Sequence, residues 1–328
     1  WIIDEIRPLR ALAQDVQNVL DKPLHLFEIA DATQYILKEP NGLRGPGDAE
    51  FFGDNRPYGA MINFVANPPS AQETATNGAD KNAKKATIEI VDVEGKVIRT
   101  LKKDITPGFN RSYWDLRKKA FRRPLRQAQR DNEQERSGQF VLPGIYTVRI
   151  RYAGHNDSAS VKVLPDPRKE VSLATMREKY TLIEQVGAKT EVFAEAIDRL
   201  RNNRESIDLV MKRLKNGTSS DTLKKRSKAM QDSVDVLMDA ILGKEVQGIR
   251  RDPDLAGSRL RSVLFSLQSS WDAPTQMDRI NLKFAEQKLA EALDRINAFY
   301  TTAFSEYKKS VDTAKIGLFD DFEPIELK

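Results

Sequence analysis

Residues 146–200 read YTVRIRYAGHNDSASVKVLPDPRKEVSLATMREKYTLIEQVGAKTEVFAEAIDRL, and the period of their apolar residues changes part-way along. Tyr146, Val148, Ile150 and Tyr152 alternate with Thr147, Arg149 and Arg151. A period of two marks a half-buried strand, because successive side chains of a strand point to opposite faces. The polar stretch Gly154-His155-Asn156-Asp157-Ser158 reads as a turn and Val161-Lys162-Val163 as the returning strand. Beyond Pro165-Asp166-Pro167 the apolar residues Met176, Tyr180, Ile183, Val186, Phe193, Ile197 and Leu200 recur at helical spacing, so they form one stripe of a long helix. A β-rich part ends and an α-rich part begins within this stretch.

Both characters extend outward. Upstream, Ala60, Ile62 and Phe64 alternate with Met61, Asn63 and Val65, and Ile88 and Ile90 share one face of Ala86 to Val93. Glu94-Gly95 separates two β-rich runs, where glycine can take the positive φ of a tight hairpin. With a strand near Asn110 to Leu116, the short strands have the number and spacing of a small antiparallel sandwich. Downstream, Leu223, Met230, Val234, Leu237 and Ile241 form a second helical stripe, and Leu260, Val263, Leu264 and Leu267 mark a shorter helix before Trp271. Leu282, Ala285, Leu289, Ala292, Ile296, Phe299 and Ala303 form the last stripe. Four amphipathic helices imply a bundle. Asn216-Gly217 closes the first, Ser220 or Asp221 caps the second, Gly243 ends it, and Pro274-Thr275 opens the last.

The 328 residues suffice for two domains with a core each. Lys and Arg number 53 against 48 Asp and Glu, and no apolar run is long enough for a spanning helix. The absence of Cys removes disulfides, thiolate nucleophiles and Cys-ligated metal sites, and fits either redox compartment. Two histidines, His25 and His155, exclude a multi-histidine metal site unless carboxylates complete it, and leave little for a Ser-His-Asp arrangement. The chain starts at Trp1 with no Met and no signal-type apolar core, and reads as a processed or truncated piece.

Three groups of residues together resemble one family. Trp1-Ile2-Ile3-Asp4-Glu5-Ile6-Arg7-Pro8-Leu9-Arg10 resembles the closing strand of a sialidase-type (BNR, sortilin-like) β-propeller, with Glu5 in place of the commoner second Asp. Asn55 to Phe64, Gly108 to Arg117, Pro143 to Val148 and Pro165-Asp166-Pro167-Arg168 are similar to the Ig-like module of flagellar hook-capping proteins. In large secreted bacterial propeller proteins that module precedes a helical region, matched here by Pro274-Thr275 and the helix behind it. The resemblance implies a multidomain α+β chain: a propeller-closing strand remnant and linker in 1–54, an antiparallel Ig-like β-sandwich in 55–167, and an α-helical bundle in 168–328. It also implies an extracytoplasmic location, whether periplasmic, outer-membrane-associated or secreted, in a family often labelled glycosyl hydrolase. The chain itself has no Asp box and no propeller repeat, so the residues that line a propeller site are absent from it.

The remaining candidates are weighed on their chemistry. Glycoside hydrolysis needs two carboxyl groups held at a defined separation. Asp4-Glu5, Asp320-Asp321 and Glu191-Glu195 are available, but 48 acids produce such pairs by chance and nothing converges on them. Arg111 to Arg136 holds nine Lys/Arg against four acids, which equals the net excess of the whole chain. Within it Arg117, Lys118, Lys119, Arg122, Arg123 and Arg126 are the candidates for contact with a polyanion, against a solvated loop as the plainer reading. Thin aromatic interleaving argues against nucleic acid. Gly42-Leu43-Arg44-Gly45-Pro46-Gly47 lacks the Lys-Ser/Thr of a phosphate loop and reads as a linker. His25 reads as structural, and Trp1, Trp114 and Trp271 as packing anchors. Trp1, Ile2, Ile3 and Ile6 form a strand edge open to a partner.

No residue is assigned a catalytic, cofactor-binding or metal-ligating role. The expected function is a non-catalytic structural or interaction region of a secreted or envelope-associated propeller protein, docking its own propeller or another envelope protein. The alternative is the accessory C-terminal region of a glycoside hydrolase whose active site lies in a missing propeller.

Overall fold

The computed structural model describes residues 5–36, 56–68, 84–128, 134–214, 218–244 and 252–314. The chain is mixed α and β with several antiparallel pairings, and no described helix is long and apolar enough to cross a membrane. It divides into two compact units. The β unit comprises Trp1–Ala120, Asn132–Tyr180 and Ser270–Asp272; the helical unit comprises Phe121–Asp131, Thr181–Ser269 and Ala273–Lys328. The segments expected as 1–54, 55–167 and 168–328 are thus cut differently: the first 54 residues count with the β unit, and Phe121–Asp131 counts with the helices.

The strands are β1 (Leu24–Leu26), β2 (Ala32–Thr33), β3 (Ala60–Ala66), β4 (Lys85–Val91), β5 (Val97–Asp104), β6 (Gly108–Trp114), β7 (Arg117–Lys119), β8 (Ser137–Phe140), β9 (Gly144–Tyr152) and β10 (His155–Leu164). They form sheets in the orders β1-β3-β6, β2-β10-β9-β4-β5 and β7-β8, antiparallel except where β2 runs parallel to β10. Ile62, Phe64 and Trp114 of the three-stranded sheet share one core with Ile88, Ile90, Val148 and Ile150 of the five-stranded sheet. Each such side chain contributes ~1.5–3 kcal/mol by leaving water. β3 is buried along its whole length because its other face is covered too: Val65 packs with Val19 and Phe27 of the N-terminal segment.

Both expected hairpins form. In β4–β5, Asp92 Oδ1 accepts the N–H groups of Glu94 and Lys96, and Gly95 takes φ +81°. The β9–β10 turn is shorter than expected. Only Ala153 and Gly154 turn, both at positive φ (49° and 88°), and His155 already pairs with Tyr152. A two-residue turn with both φ positive matches the strand twist, so Asn156 to Ser158 extend β10 instead of the loop. Their polarity reflects an exposed strand side, with Asn156, Ser158 and Ser160 outward and Val161 and Val163 buried.

The N-terminal segment departs most from expectation. Trp1, Ile2 and Ile3 lie outside the described residues. Ile6 (φ −107°, ψ −6°) is the N-cap of helix α1 (Arg7–Gln14), not a strand residue, because Pro8 in the first turn favours helical φ and lacks only an N–H that would be unpaired there. After α2 (Val16–Leu20) the segment 1–54, expected as a propeller-closing strand remnant and linker, supplies β1 and β2. Leu26 N–H donates to Asp157 Oδ2 at 2.7 Å, and Gln34 Nε2 to the Val141 carbonyl at 2.6 Å.

The helices are α3 (Leu173–Arg213), α4 (Thr218–Leu242), α5 (Ala256–Gln268) and α6 (Gln276–Phe299), then a π-helical turn (Tyr300–Phe304) and α7 (Ser305–Thr313). Val186, Phe193, Ile197, Val234, Leu260, Val263, Ala285 and Ile296 share one core. Gly243 ends α4 at φ +85°, its N–H bonded to the Asp239 carbonyl. Thr275 opens α6 in a reciprocal capping box with Asp278. α4 begins at Thr218, so Ser220 and Asp221 lie inside it; Asn216 and Gly217 are outside the described residues. Ala303 is exposed and does not continue the stripe of α6. The π turn inserts an extra residue, which moves the apolar face to Phe304 and the buried Tyr307.

Candidate functional site

The basic run is divided between the two units. Arg117–Lys119 form β7, which pairs with β8. The Arg117 guanidinium lies 3.7 Å from the centre of the Phe140 ring and donates to the Gly138 carbonyl at 2.8 Å. Burial lowers its pKa, opposed by Asp115. Lys118 Nζ sits 5.1 Å from the Tyr180 ring, and Lys119 pairs with Glu135 at 3.1 Å.

Residues 121–128 run as a strap within the helical unit. Phe121 packs on Gly187, where an added Cβ would lie 2.1 Å from the ring. Arg122 pairs with Asp198, and its N–H donates to Glu191. Arg201 donates to the Leu125 carbonyl, and Arg126 reaches Asp239 at 2.7 Å and the Gly243 carbonyl at 2.9 Å. Arg123 is exposed beside them. The expected contact cations Arg117, Lys118, Lys119, Arg122 and Arg126 therefore all have internal partners, which a polyanion would have to displace. The cleft behind the strap, about 370 Å³, is lined by Arg126, Arg201 and Arg204. It is no anion site: Asp198, Asp235 and Asp239 neutralise the three guanidiniums.

No group of three or more His, Asp or Glu that could hold a metal occurs among the described residues. His25 stacks edge-on against Phe27 at 5.0 Å, and its Nδ1 is 3.9 Å from Asp157. Burial, aided by Lys22, lowers its pKa against the opposing pull of Asp157. Of the carboxylate pairs, Glu5 is tied to Arg7 and Glu195 to Arg199, while Asp4, Asp320 and Asp321 lie outside the described residues, as does the stretch Gly42–Gly47.

One constellation was not legible in the sequence. In the β unit Tyr35 meets Tyr58 at 4.7 Å, Tyr58 meets Phe140 at 6.2 Å, and Phe140 meets Trp271 at 5.1 Å. Arg117 flanks this row at Phe140 and Arg168 at Tyr35. Arg168 clasps Asp166 through Nε (2.9 Å) and a terminal nitrogen (2.8 Å), which holds the Asp166 carboxyl down at about 2. Burial pushes the Tyr58 hydroxyl up to about 12, so it stays protonated. Four rings from four distant stretches carry no common sequence signal; only Pro165-Asp166-Pro167-Arg168 stood out, through the family resemblance. The row packs and can recognise apolar or planar groups, and it contains no nucleophile or general base. Trp114, fully buried, donates its indole N–H to the Arg117 carbonyl at 2.9 Å.

No family model, curated protein or solved structure matches this chain.

Proposed function

We propose that the chain is a non-catalytic interaction region of a large secreted or envelope-associated bacterial propeller protein, built as an Ig-like β-sandwich and an α-helical bundle, which docks its own propeller or another envelope protein. The shared core of the three- and five-stranded sheets supports the sandwich, and the shared core of α3 to α6 supports the bundle. The observation that carries the interaction role is the apolar surface of the N-terminal helices. Ile6, Leu9, Val16 and Leu20 are 41%, 53%, 50% and 38% exposed, and the first two fall within Trp1–Arg10, the run that resembles a propeller-closing strand. Scattered exposed apolar residues are ordinary, but here four fall within fifteen positions of a segment whose Val19 also packs against Val65 of β3.

The intact mass of the protein from its native source tests this reading. A mass far above 37.2 kDa, with propeller repeats in the extra sequence, is expected. A mass near 37.2 kDa removes the own-propeller form, and Leu9→Asp with Val16→Asp must then abolish binding to a purified envelope partner. Hydrolase activity in this chain alone would overturn the non-catalytic assignment.

A further inference from the structure

We infer that the solvent side of the α5–α6 pair is a docking surface for an anionic lipid membrane. Met277, Ile280 and Phe284 on α6 and Phe265 on α5 are exposed, and all but Ile280 by more than half. Spacings of three and four keep the α6 residues on one stripe, turned away from the buried Asp278, Leu282, Ala285 and Leu289. Phe265 likewise faces away from Leu260, Val263 and Leu267, which enter the core. The two helices meet at this level, where Ser266 Oγ donates to Asp278 Oδ1 at 2.6 Å. Phe265 and Met277 are each one residue from that bond, so the four apolar side chains share one surface.

The occupant is argued from charge and shape. Every exposed ionisable side chain from Ala256 to Gln268 and from Gln276 to Phe284 is a cation: Arg261, Arg279 and Lys283. Arg261 lies one turn before Phe265, and Arg279 and Lys283 directly precede Ile280 and Phe284. Long basic side chains lay their stems along apolar surface and carry their heads to the phosphate level, while aromatic and aliphatic groups enter the acyl boundary. The apolar surface of the N-terminal helices lacks this bias, since its exposed charges Arg10, Lys22, Asp15 and Asp21 balance. A second copy would set cations against cations across the two-fold. The four residues also expose together roughly 450 Å², about half of the ~800 Å² per partner of a stable dimer. A peptide helix needs a recessed groove, whereas these side chains stand out from the surface. The inference draws on the helical unit alone and does not rest on the propeller reading.

The chain has no Cys, so Phe265→Cys carries a single environment-sensitive fluorophore, with the exposed Val236→Cys of α4 as control. The full chain is titrated with vesicles of phosphatidylcholine alone and with vesicles in which about one third is phosphatidylglycerol. A blue shift at position 265 with the anionic vesicles, and none at position 236, is expected. In co-sedimentation, Met277→Ser with Phe284→Ser should lower partitioning to the anionic vesicles at least about ten-fold, and Lys283→Gln about five-fold. No shift at 265, equal shifts at both positions, or equal binding to the neutral vesicles overturns the inference. A shift at 265 that grows with protein concentration in the absence of vesicles overturns it in favour of self-association. Should the double variant lose its helical circular dichroism, the two labelled positions and the two vesicle compositions decide the matter without it.

Discussion

In the β unit Leu26 bonds to Asp157 across 131 positions of chain, whereas in the helical unit Thr275 and Asp278 cap one another across three. The contrast runs through both cores. The β core draws on β1 and β2 from the first 33 residues as well as β9 and β10 beyond position 144, so it closes only when distant stretches meet. The helical core is assembled from stripes laid down turn by turn, which then meet across separations such as Ser227 to Tyr307, and Phe121 of the strap packs against it. Non-local pairing must overcome loop-closure entropy before it stabilises anything, while a helix stripe exists as soon as the helix does.

The sharpest way to break this comparison is to remove one anchor from each core. Trp114→Ala and Phe193→Ala each delete a fully buried aromatic and are expected to destabilise by ~3–5 kcal/mol. In denaturant, Trp114→Ala should shift the near-ultraviolet transition of the β unit, and Phe193→Ala the far-ultraviolet helical transition. Two coincident shifts in either variant would show that the units unfold as one.

Next in size is the strap. Gly187→Ala places a methyl against the Phe121 ring and is expected to cost ~1–3 kcal/mol in the helical transition only. Arg126→Ala is smaller, about 1 kcal/mol, because its partner Asp239 is itself part-exposed and salt screens the pair. The loss should shrink at high salt; a salt-independent loss would place the effect in packing and not charge.

The last effect is a pH dependence confined to the β unit. The Asp166 carboxyl is lowered from 3.8 to about 2 by Arg168, so the folded state binds fewer protons than the unfolded one. Its contribution is complete above about pH 4 and is lost as the pH falls through about 2. Asp166→Asn should flatten the acid limb of a stability–pH curve between those values and leave the limb above pH 5 unchanged.

Legibility followed the range of the contacts. β3, the β4–β5 hairpin, β9, the helical stripes, Gly243 and the Thr275 cap were all readable, since each depends on neighbours within a turn or a strand. The β9–β10 turn was misjudged because the polar faces of strands and turns share a composition. The π turn escaped because Ala303 fits the spacing and only packing reveals that Phe304 and Tyr307 take over the face. Of the candidate sites, the positive run was visible as charge, but its partners were not: Glu135, Asp198 and Asp239 lie up to 113 positions away.

By itself, then, the sequence determined the period of the main strands and helices, the change from β to α near Pro165-Asp166-Pro167, and the helix ends at Gly243 and Thr275. Tertiary structure alone decided that residues 24–33 complete two sheets, that residues 121–128 belong with the helices, and that Tyr35, Tyr58, Phe140 and Trp271 form one row. The reason is physical: backbone periodicity is set by hydrogen bonds a few residues long, whereas the partner of a charge or a ring is whichever complementary group the closed core brings within reach.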